Sequence, residues 1–215
     1  MNLKLYTRYQ NSAGQRVRTA LNLKGADYEY VGVTMGVEPG WSEYRRTVNP
    51  QGLLPTLEVD GRRVVQSTAI IEYIEENLPG PSLLPEDPVS RAQSRGFAQV
   101  IACEMHAVVV SRLRALLGSR YELSEEQVLD WRDYWYGEGF GTLEELLRQR
   151  ETATPFCFDD KPTLADIYLV PQMYNFRRDG ADLSPYPLLR EIDERCRALP
   201  AFEKAMPENQ PDWPG

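Results

Sequence analysis

Residues 49–67, NPQGLLPTLEVDGRRVVQS, decide the fold class. Two β-rich runs, Pro55-Thr56-Leu57-Glu58-Val59 and Val64-Val65-Gln66, flank Asp60-Gly61, a strong hairpin signal. Ser67 then opens a helix in which Ala69, Ile70, Tyr73 and Ile74 form one apolar face, ending near Leu78-Pro79-Gly80. Working back toward the start, Asn49-Pro50 closes a helix over residues 39–48, where Trp41, Tyr44 and Val48 stand at helical spacing, because the residue before a proline is driven out of the α region. Residues 28–33 read as the second strand. Val17, Ala20, Leu21 and Lys24 repeat at i, i+3, i+4 and i+7, so a helix over residues 15–24 buries Val17, Ala20 and Leu21 and stops at Gly25. Residues 3–6 are the first strand. The opening 80 residues therefore read βαβαββα, an α/β domain built on one small sheet.

Four prolines and one glycine in residues 79–88 mark an exposed linker, which divides the chain into domains at 1–80 and 89–215 with 81–88 between them. Beyond it the period is helical, predicting an all-α domain. Phe97, Ile101, Met105 and Val108, followed by Leu116, mark a long helix; Trp131, Trp135, Leu143 and Leu147 mark a second, interrupted by Gly137, Gly139 and Gly141. Thr163-Leu164-Ala165-Asp166 is a capping box with Asp in the place of Glu. A last helix runs over residues 187–199, and the tail after Pro207 reads as surface coil.

A net charge of −8 without a cluster of Lys and Arg argues against nucleic-acid and anionic-membrane partners, which need positive charge. No basic start precedes an apolar core, and no apolar run approaches ~18 residues, so the expected location is the cytoplasm. Cys103, Cys157 and Cys196 contain no C-x-x-C pair and predict reduced, mostly buried thiols. With His106 as the sole histidine, neither a three-histidine metal site nor a separate Ser-His-Asp triad is expected, and no metal is predicted.

Three features of the first domain lie at element boundaries and converge on one kind of ligand. Leu54-Pro55 precedes a strand; a cis bond there would turn the backbone of Leu54 outward to pair with an extended peptide, the alternative being an ordinary trans proline. Ser67, as an N-cap, would offer its hydroxyl and the helix N-terminus to an anion, or would simply cap. Ser12, with Asn11, stands before the first helix, where a hydroxyl and a helix N-terminus together lower the pKa of a thiol presented to them; capping is again the alternative.

NSAGQRVRTALNLKG (residues 11–25), NPQGLLPTL (49–57), QSTAIIEY (66–73) and QPD (210–212), in this order and spacing, resemble zeta-class glutathione transferases over nearly the whole chain. The resemblance implies a thioredoxin-like N-terminal domain that holds glutathione as cofactor, packed on an all-helical domain that supplies the pocket for a small electrophilic substrate, and a homodimer. It implies that Ser67 and Gln66 bind the γ-glutamyl end, that Leu54 pairs with the cysteinyl backbone beside cis-Pro55, and that Ser12 faces the sulfur. His106 matches a histidine that contacts glutathione in maleylpyruvate isomerase-like members; a satisfied histidine on a helix face is the other reading. Arg178 matches an arginine that receives a substrate carboxylate, a role suited to its planar fork of donors, against which stands a solvated surface arginine. Arg112 is a further candidate for that duty.

The catalytic loop departs from the class pattern. Asn11, Ser12 and Ala13 stand where the signature has Ser-Ser-Cys or a close variant, Gln10 where an arginine is frequent, and Val110 where some isomerases have a polar residue. Asn11 can replace a serine hydroxyl with an amide donor to the thiolate. The resemblance implies cis-trans isomerisation of a maleyl-type keto acid through transient thiolate addition. Conjugation, dehalogenation or thioether or ether cleavage on an aromatic or halogenated electrophile stays open beside it, as does a binding module without catalysis.

Overall fold

The computed structural model describes residues 1–215. The chain forms two compact units, one of Met1–Leu83 with Arg197–Gly215 and the other of Leu84–Cys196. The closing residues, read from sequence as part of the helical domain, thus belong with the first unit.

In the first unit β1 (Leu3–Thr7), α1 (Ser12–Lys24), β2 (Glu29–Gly32), α2 (Gly40–Thr47), β3 (Thr56–Val59), β4 (Arg62–Val65) and α3 (Ser67–Asn77) follow the expected βαβαββα order. The sheet order is β2-β1-β3-β4, with β1 and β2 parallel and the other two pairs antiparallel. Parallel pairing requires a crossover, and α1 supplies it. The β3–β4 turn has Asp60 at φ 48° and Gly61 at φ 82°, both left-handed, as a two-residue hairpin demands. Alternation in β1 buries Leu3, Leu5 and Thr7, and the core joins Leu3, Leu5 and Leu57 to Val17, Ala20 and Leu21 of α1 and Ile70, Ile71 and Ile74 of α3. Helix α3 is rotated from the expected face: Ser67, Ile70, Ile71 and Ile74 point inward, while Ala69 is exposed and Tyr73 half-buried. The observed set is the i, i+3, i+4, i+7 stripe counted from the first helical residue.

The two helices are joined by an ion pair, Lys24 Nζ to Glu75 Oε2 at 2.7 Å. Glu75 also accepts from Ser82 Oγ and Leu83 N, and both Leu83 and Pro85 are buried, so the proline-rich segment is tied down rather than exposed along its length.

The second unit holds α4 (Pro88–Gln99), a π-helix (Val100–His106), α5 (Ala107–Val109), α6 (Ser111–Tyr121), α7 (Glu125–Arg148), α8 (Leu164–Arg178) and nearly all of α9 (Pro187–Arg197). The long helix expected from Phe97 to Leu116 is divided. Its buried residues are Phe97, Ala98, Ile101, Met105 and Val109, with Val108 half-buried and Leu116 exposed. A four-residue repeat drifts by ~40° per step around an α-helix of 3.6 residues per turn. The wider i→i+5 turns of the π-helix take up that drift and keep the stripe on one side. The helix then breaks at Val110, where ψ is 148°.

Helix α7 runs 24 residues without interruption, contrary to the expectation drawn from its glycines. Gly139 is there for close approach: a Cβ on it would lie 2.1 Å from Cγ of Met105 in the π-helix, whereas a Cβ at Gly137 would meet nothing within 4 Å. Gly139→Ala should therefore cost about 1–3 kcal/mol by overpacking, and Gly137→Ala should add about 0.5–1 kcal/mol by helix propensity. Paired urea melts check this; equal shifts of the same sign would refute the assignment. The capping box at α8 is present, with Thr163 N donating to Asp166 Oδ2 at 2.7 Å. Cys157 and Cys196 are buried in this unit and Cys103 is exposed. Burial, then the Asp166 carboxylate, pushes both buried thiols up, which keeps them protonated.

The tail is exposed over much of its length, as expected of a surface coil, but it is anchored at Gln210 and Asp212. After α10 (Pro200–Glu203) a 3₁₀ turn at Pro207–Asn209 leads to buried Gln210, whose Nε2 donates to the carbonyls of Lys204 at 2.8 Å and Met206 at 2.7 Å. Asp212 accepts from the Tyr30 hydroxyl and the Tyr9 amide, and Trp213 sets its ring edge-on to Tyr9 at 5.2 Å. No helix is long and apolar enough to cross a membrane.

Candidate functional site

The register of the sheet gathers the three boundary segments at one end of the first unit. Tyr6 of β1 lies opposite Thr56 of β3, and Thr56 lies opposite Val65 of β4. Antiparallel pairing sets the exit of one strand beside the entry of its neighbour. Just past that row the chain leaves β1 toward Asn11 and Ser12, enters β3 through Leu54-Pro55, and leaves β4 through Gln66 and Ser67. Helices α1 and α3 both begin here, and neither has an acidic residue in its first turn. Two positive helix ends are thus left unbalanced at one place, which suits carboxylate and thiolate.

Asn11, not Ser12, caps α1. Its backbone is extended (φ −139°, ψ 103°) and its Oδ1 accepts from Gly14 N, while Ser12 is the first helical residue. Since Oδ1 is committed to an N–H donor, the amide has one orientation, and Nδ2 is the end left to donate outward. Gly14 permits this tight turn, because a Cβ there would fall 2.1 Å from Thr7 Oγ1 and 2.6 Å from Asn11 Oδ1.

At α3 the N-cap position belongs to Gln66, without a side-chain cap bond, and Ser67 is again the first helical residue, nearly buried. Gln66 has φ 73° and ψ 122°, a region that costs a side-chain-bearing residue about 1–3 kcal/mol and that clusters at ligand sites. Its Nε2 donates to Gln51 Oε1 at 2.8 Å, which locks the junction to the loop ahead of β3.

Leu54-Pro55 is cis, as the resemblance implied and against the ordinary trans reading, and a second cis bond lies at Glu38-Pro39. The carbonyl of Leu53 accepts from Tyr44 Oη at 2.7 Å and Asn49 Nδ2 at 2.8 Å, and Tyr44 Oη also lies 2.8 Å from Thr56 Oγ1. Leu54 is thereby clamped on both sides, while its own N–H and C=O take no backbone partner within the chain. Such an edge has one donor and one acceptor to give to an extended peptide.

The remaining candidates lie in the second unit, on three separate elements. His106 ends the π-helix and is half-buried. Arg112 is exposed on α6. Arg178, at the C-terminal end of α8, donates to Asp179 Oδ1 through Nε at 3.1 Å and Nη2 at 2.9 Å.

Sequence reading passed over Arg18. It is fully buried beneath the β1–α1 loop, and all five of its donors are used: Nε and Nη2 on the Ala205 carbonyl, Nη1 on Thr7 Oγ1 and the Arg8 carbonyl, and Nη2 on the Tyr9 carbonyl. Burial pushes its pKa down to about 10, so it stays charged at neutral pH. The available signal was its place three residues before Leu21, on the edge of the buried stripe of α1.

A βαβαββα sheet unit of thioredoxin type, with a cis-proline edge and two helix N-termini at one end and an all-helical unit following, is the architecture of the glutathione-transferase class. Residues 5–82 match the family described as Glutathione S-transferase, N-terminal domain. Maleylacetoacetate isomerase of Pseudomonas aeruginosa is 42% identical over 217 residues, spanning 99% of each chain. The holo structure of maleyl pyruvate isomerase, a bacterial zeta-class glutathione S-transferase, superposes with a TM-score of 0.92 at 40% identity, over 97% of this chain and 99% of that one. Maleylacetoacetate isomerase from Methylobacterium extorquens AM1, solved with malonate and glutathione bound, gives 0.93 at 36% identity, over 99% of this chain and 100% of that one. The chain belongs to the zeta class of the glutathione S-transferase family, a family of enzymes.

Proposed function

We propose that the protein is a glutathione-dependent cis-trans isomerase of a maleyl-type keto acid, maleylpyruvate or maleylacetoacetate. The observation that carries this reading is the convergence, set by strand register, of the unpaired Leu54 backbone beside cis-Pro55 with the N-termini of α1 and α3. These groups fit glutathione. Ser67 and Gln66, at a positive helix end, suit the γ-glutamyl carboxylate, and Leu54 suits the cysteinyl N–H and C=O. Bound glutathione supplies a thiolate that adds to the cis double bond conjugated to a carbonyl, permits rotation about the resulting single bond, and leaves as the trans isomer forms. Asn11 Nδ2 and the Ser12 hydroxyl, with the end of α1, stabilise that thiolate. His106 contacts glutathione, and Arg178, with Arg112 as a second choice, receives a substrate carboxylate. Arg178 reaches its substrate by exchanging Asp179 for the incoming carboxylate, a swap of like for like.

Incubation with maleylpyruvate and glutathione should yield fumarylpyruvate with no net loss of glutathione. Absence of that conversion together with consumption of glutathione by an aromatic or halogenated electrophile would instead establish conjugation, the reading that Gln10, Ala13 and Val110 favour. Failure of the wild-type chain to bind immobilised glutathione would remove both and leave a binding module. Asn11→Ala and Ser12→Ala separate the two thiolate partners: with Oδ1 acting as a cap and Nδ2 facing outward, Asn11→Ala should lower kcat by about tenfold or more and also destabilise α1 by ~1 kcal/mol. Equal and negligible losses in both variants would refute both roles. A homodimer in the cytoplasm accompanies this reading, and sedimentation of the purified chain tests the dimer.

A further inference from the structure

We propose that Asp212, in the closing Gln210-Pro211-Asp212 segment, is a positioning residue for the thiolate: acting with Arg18, it holds the loop that presents Asn11 and Ser12. The inference rests on the reading of this end of the first unit as the glutathione site. Residues 8–10 join β1 to α1 through a turn at Tyr9 and Gln10. Partners outside this turn hold it in place. The Tyr9 N–H donates to Asp212 Oδ1 at 3.1 Å and Oδ2 at 3.2 Å, across 203 positions of chain. Tyr9 C=O accepts from Arg18 Nη2 at 3.2 Å, and Arg8 C=O from Arg18 Nη1 at 3.0 Å. Both faces of the Tyr9 backbone are thus gripped two residues ahead of the capping amide.

The grip is itself held rigid. Asp212 Oδ1 accepts from the Tyr30 hydroxyl at 2.5 Å, and Arg18 is pinned to the Ala205 carbonyl in the same returning tail. The Tyr9 ring meets the Trp213 ring at 83° with centroids 5.2 Å apart, and the Arg8 guanidinium lies 5.0 Å from the Tyr9 centroid. The charged and titratable groups around Asp212 are Arg18 and Tyr30, with Tyr28 beside them. A buried cation and a carboxylate therefore flank one short loop, and neither serves as a mere surface pair. Asn11 must keep its Oδ1 on Gly14 N to aim Nδ2 outward, and a slack loop would release that aim. Misplacement of a donor by ~1 Å weakens its hold on a developing charge by up to about 100-fold. The tail thus contributes to thiolate stabilisation without touching glutathione.

The test uses the full chain with Asp212→Ala, Asp212→Asn and Tyr30→Phe. Amide hydrogen exchange of residues 8–11, measured without glutathione, should quicken about tenfold or more in Asp212→Ala. At saturating glutathione and fixed pH, the ultraviolet absorbance of bound thiolate should fall several-fold, and kcat with it, while glutathione affinity and KM stay within about threefold. Asp212→Asn, which keeps an acceptor oxygen, should restore most of the thiolate signal. A folded Asp212→Ala with unchanged thiolate absorbance overturns the proposal. So does an Asp212→Asn chain that melts like wild type yet shows no recovery. If Asp212→Ala does not fold, Tyr30→Phe carries the same test, because it removes a single hydroxyl, and an unchanged thiolate signal there also overturns it. Lack of any thiolate absorbance in the wild-type chain would defeat the glutathione reading itself, whereas a wild-type signal that persists in all variants defeats this inference alone.

Discussion

Arg18→Met should destabilise the first unit by about 3 kcal/mol, read as a lowered urea midpoint at unchanged slope. Two effects oppose each other. The charge is costly to bury, as its lowered pKa of about 10 records, and replacing it with an apolar side chain of similar length returns part of that cost. Against this, the carbonyls of Arg8, Tyr9 and Ala205 and the Thr7 hydroxyl cannot be removed along with it, and each loses the donor that satisfies it in the interior. A stranded buried polar group costs about 1–3 kcal/mol, so four of them outweigh the relief. Arg18→Lys should recover little, because three ammonium donors at one point cannot replace five spread over a planar fork. A midpoint within experimental error of wild type in Arg18→Met would show that the fork is dispensable.

Asp166→Ala should destabilise the second unit by roughly 3–5 kcal/mol. The carboxylate is fully buried, with Oδ2 accepting from Thr163 N at 2.7 Å and Thr163 Oγ1 at 3.0 Å, and Oδ1 accepting from Cys157 N at 2.9 Å. It ends a relay in which Ala165 N donates to Ser94 Oγ and Ser94 Oγ to Thr163 Oγ1, so α4 is tied to the start of α8 through the same group. Burial pushes the carboxyl above the usual aspartate range, and the Thr163 and Cys157 donors pull it back only in part. Truncation leaves two backbone N–H groups without acceptors in a dry interior. Asp166→Asn should be nearly as damaging, since its amide can offer one acceptor where two sides require one. A folded Asp166→Ala whose thermal midpoint drops by less than a few degrees would contradict this account.

Much of the architecture could be read from local pattern. The hairpin at Asp60-Gly61, the helix stops at Gly25 and Asn49-Pro50, and the Thr163–Asp166 box each depend on bonds closed within a few residues, so short stretches of chain carry them. The motifs of residues 11–25, 49–57 and 66–73 also named the family. Even the choice between N-cap and first helical residue lay one position from the prediction at both Asn11 and Gln66.

What only the folded chain decided involves partners far apart in sequence. Which apolar residues of α3 face inward was settled by the sheet beneath it, so Ile71 displaced Ala69. The four-residue stripe from Phe97 to Val109 was visible, but not the π-helix that keeps it on one side and packs against α7, where Gly139 admits Met105. The juxtaposition of Asn11, Leu54 and Ser67 follows from the Tyr6–Thr56–Val65 register, a property of strand pairing that no one segment contains. The tail is the clearest case. Residues 210–212 matched the family as letters, yet their proline-rich composition read as coil, because a carboxylate's role depends on the distant N–H and hydroxyl groups it meets. Composition and periodicity act over a few residues and so determine elements, whereas burial, register and long-range hydrogen bonds exist only once those elements are assembled, and in this protein they place the loop that carries Asn11 and Ser12.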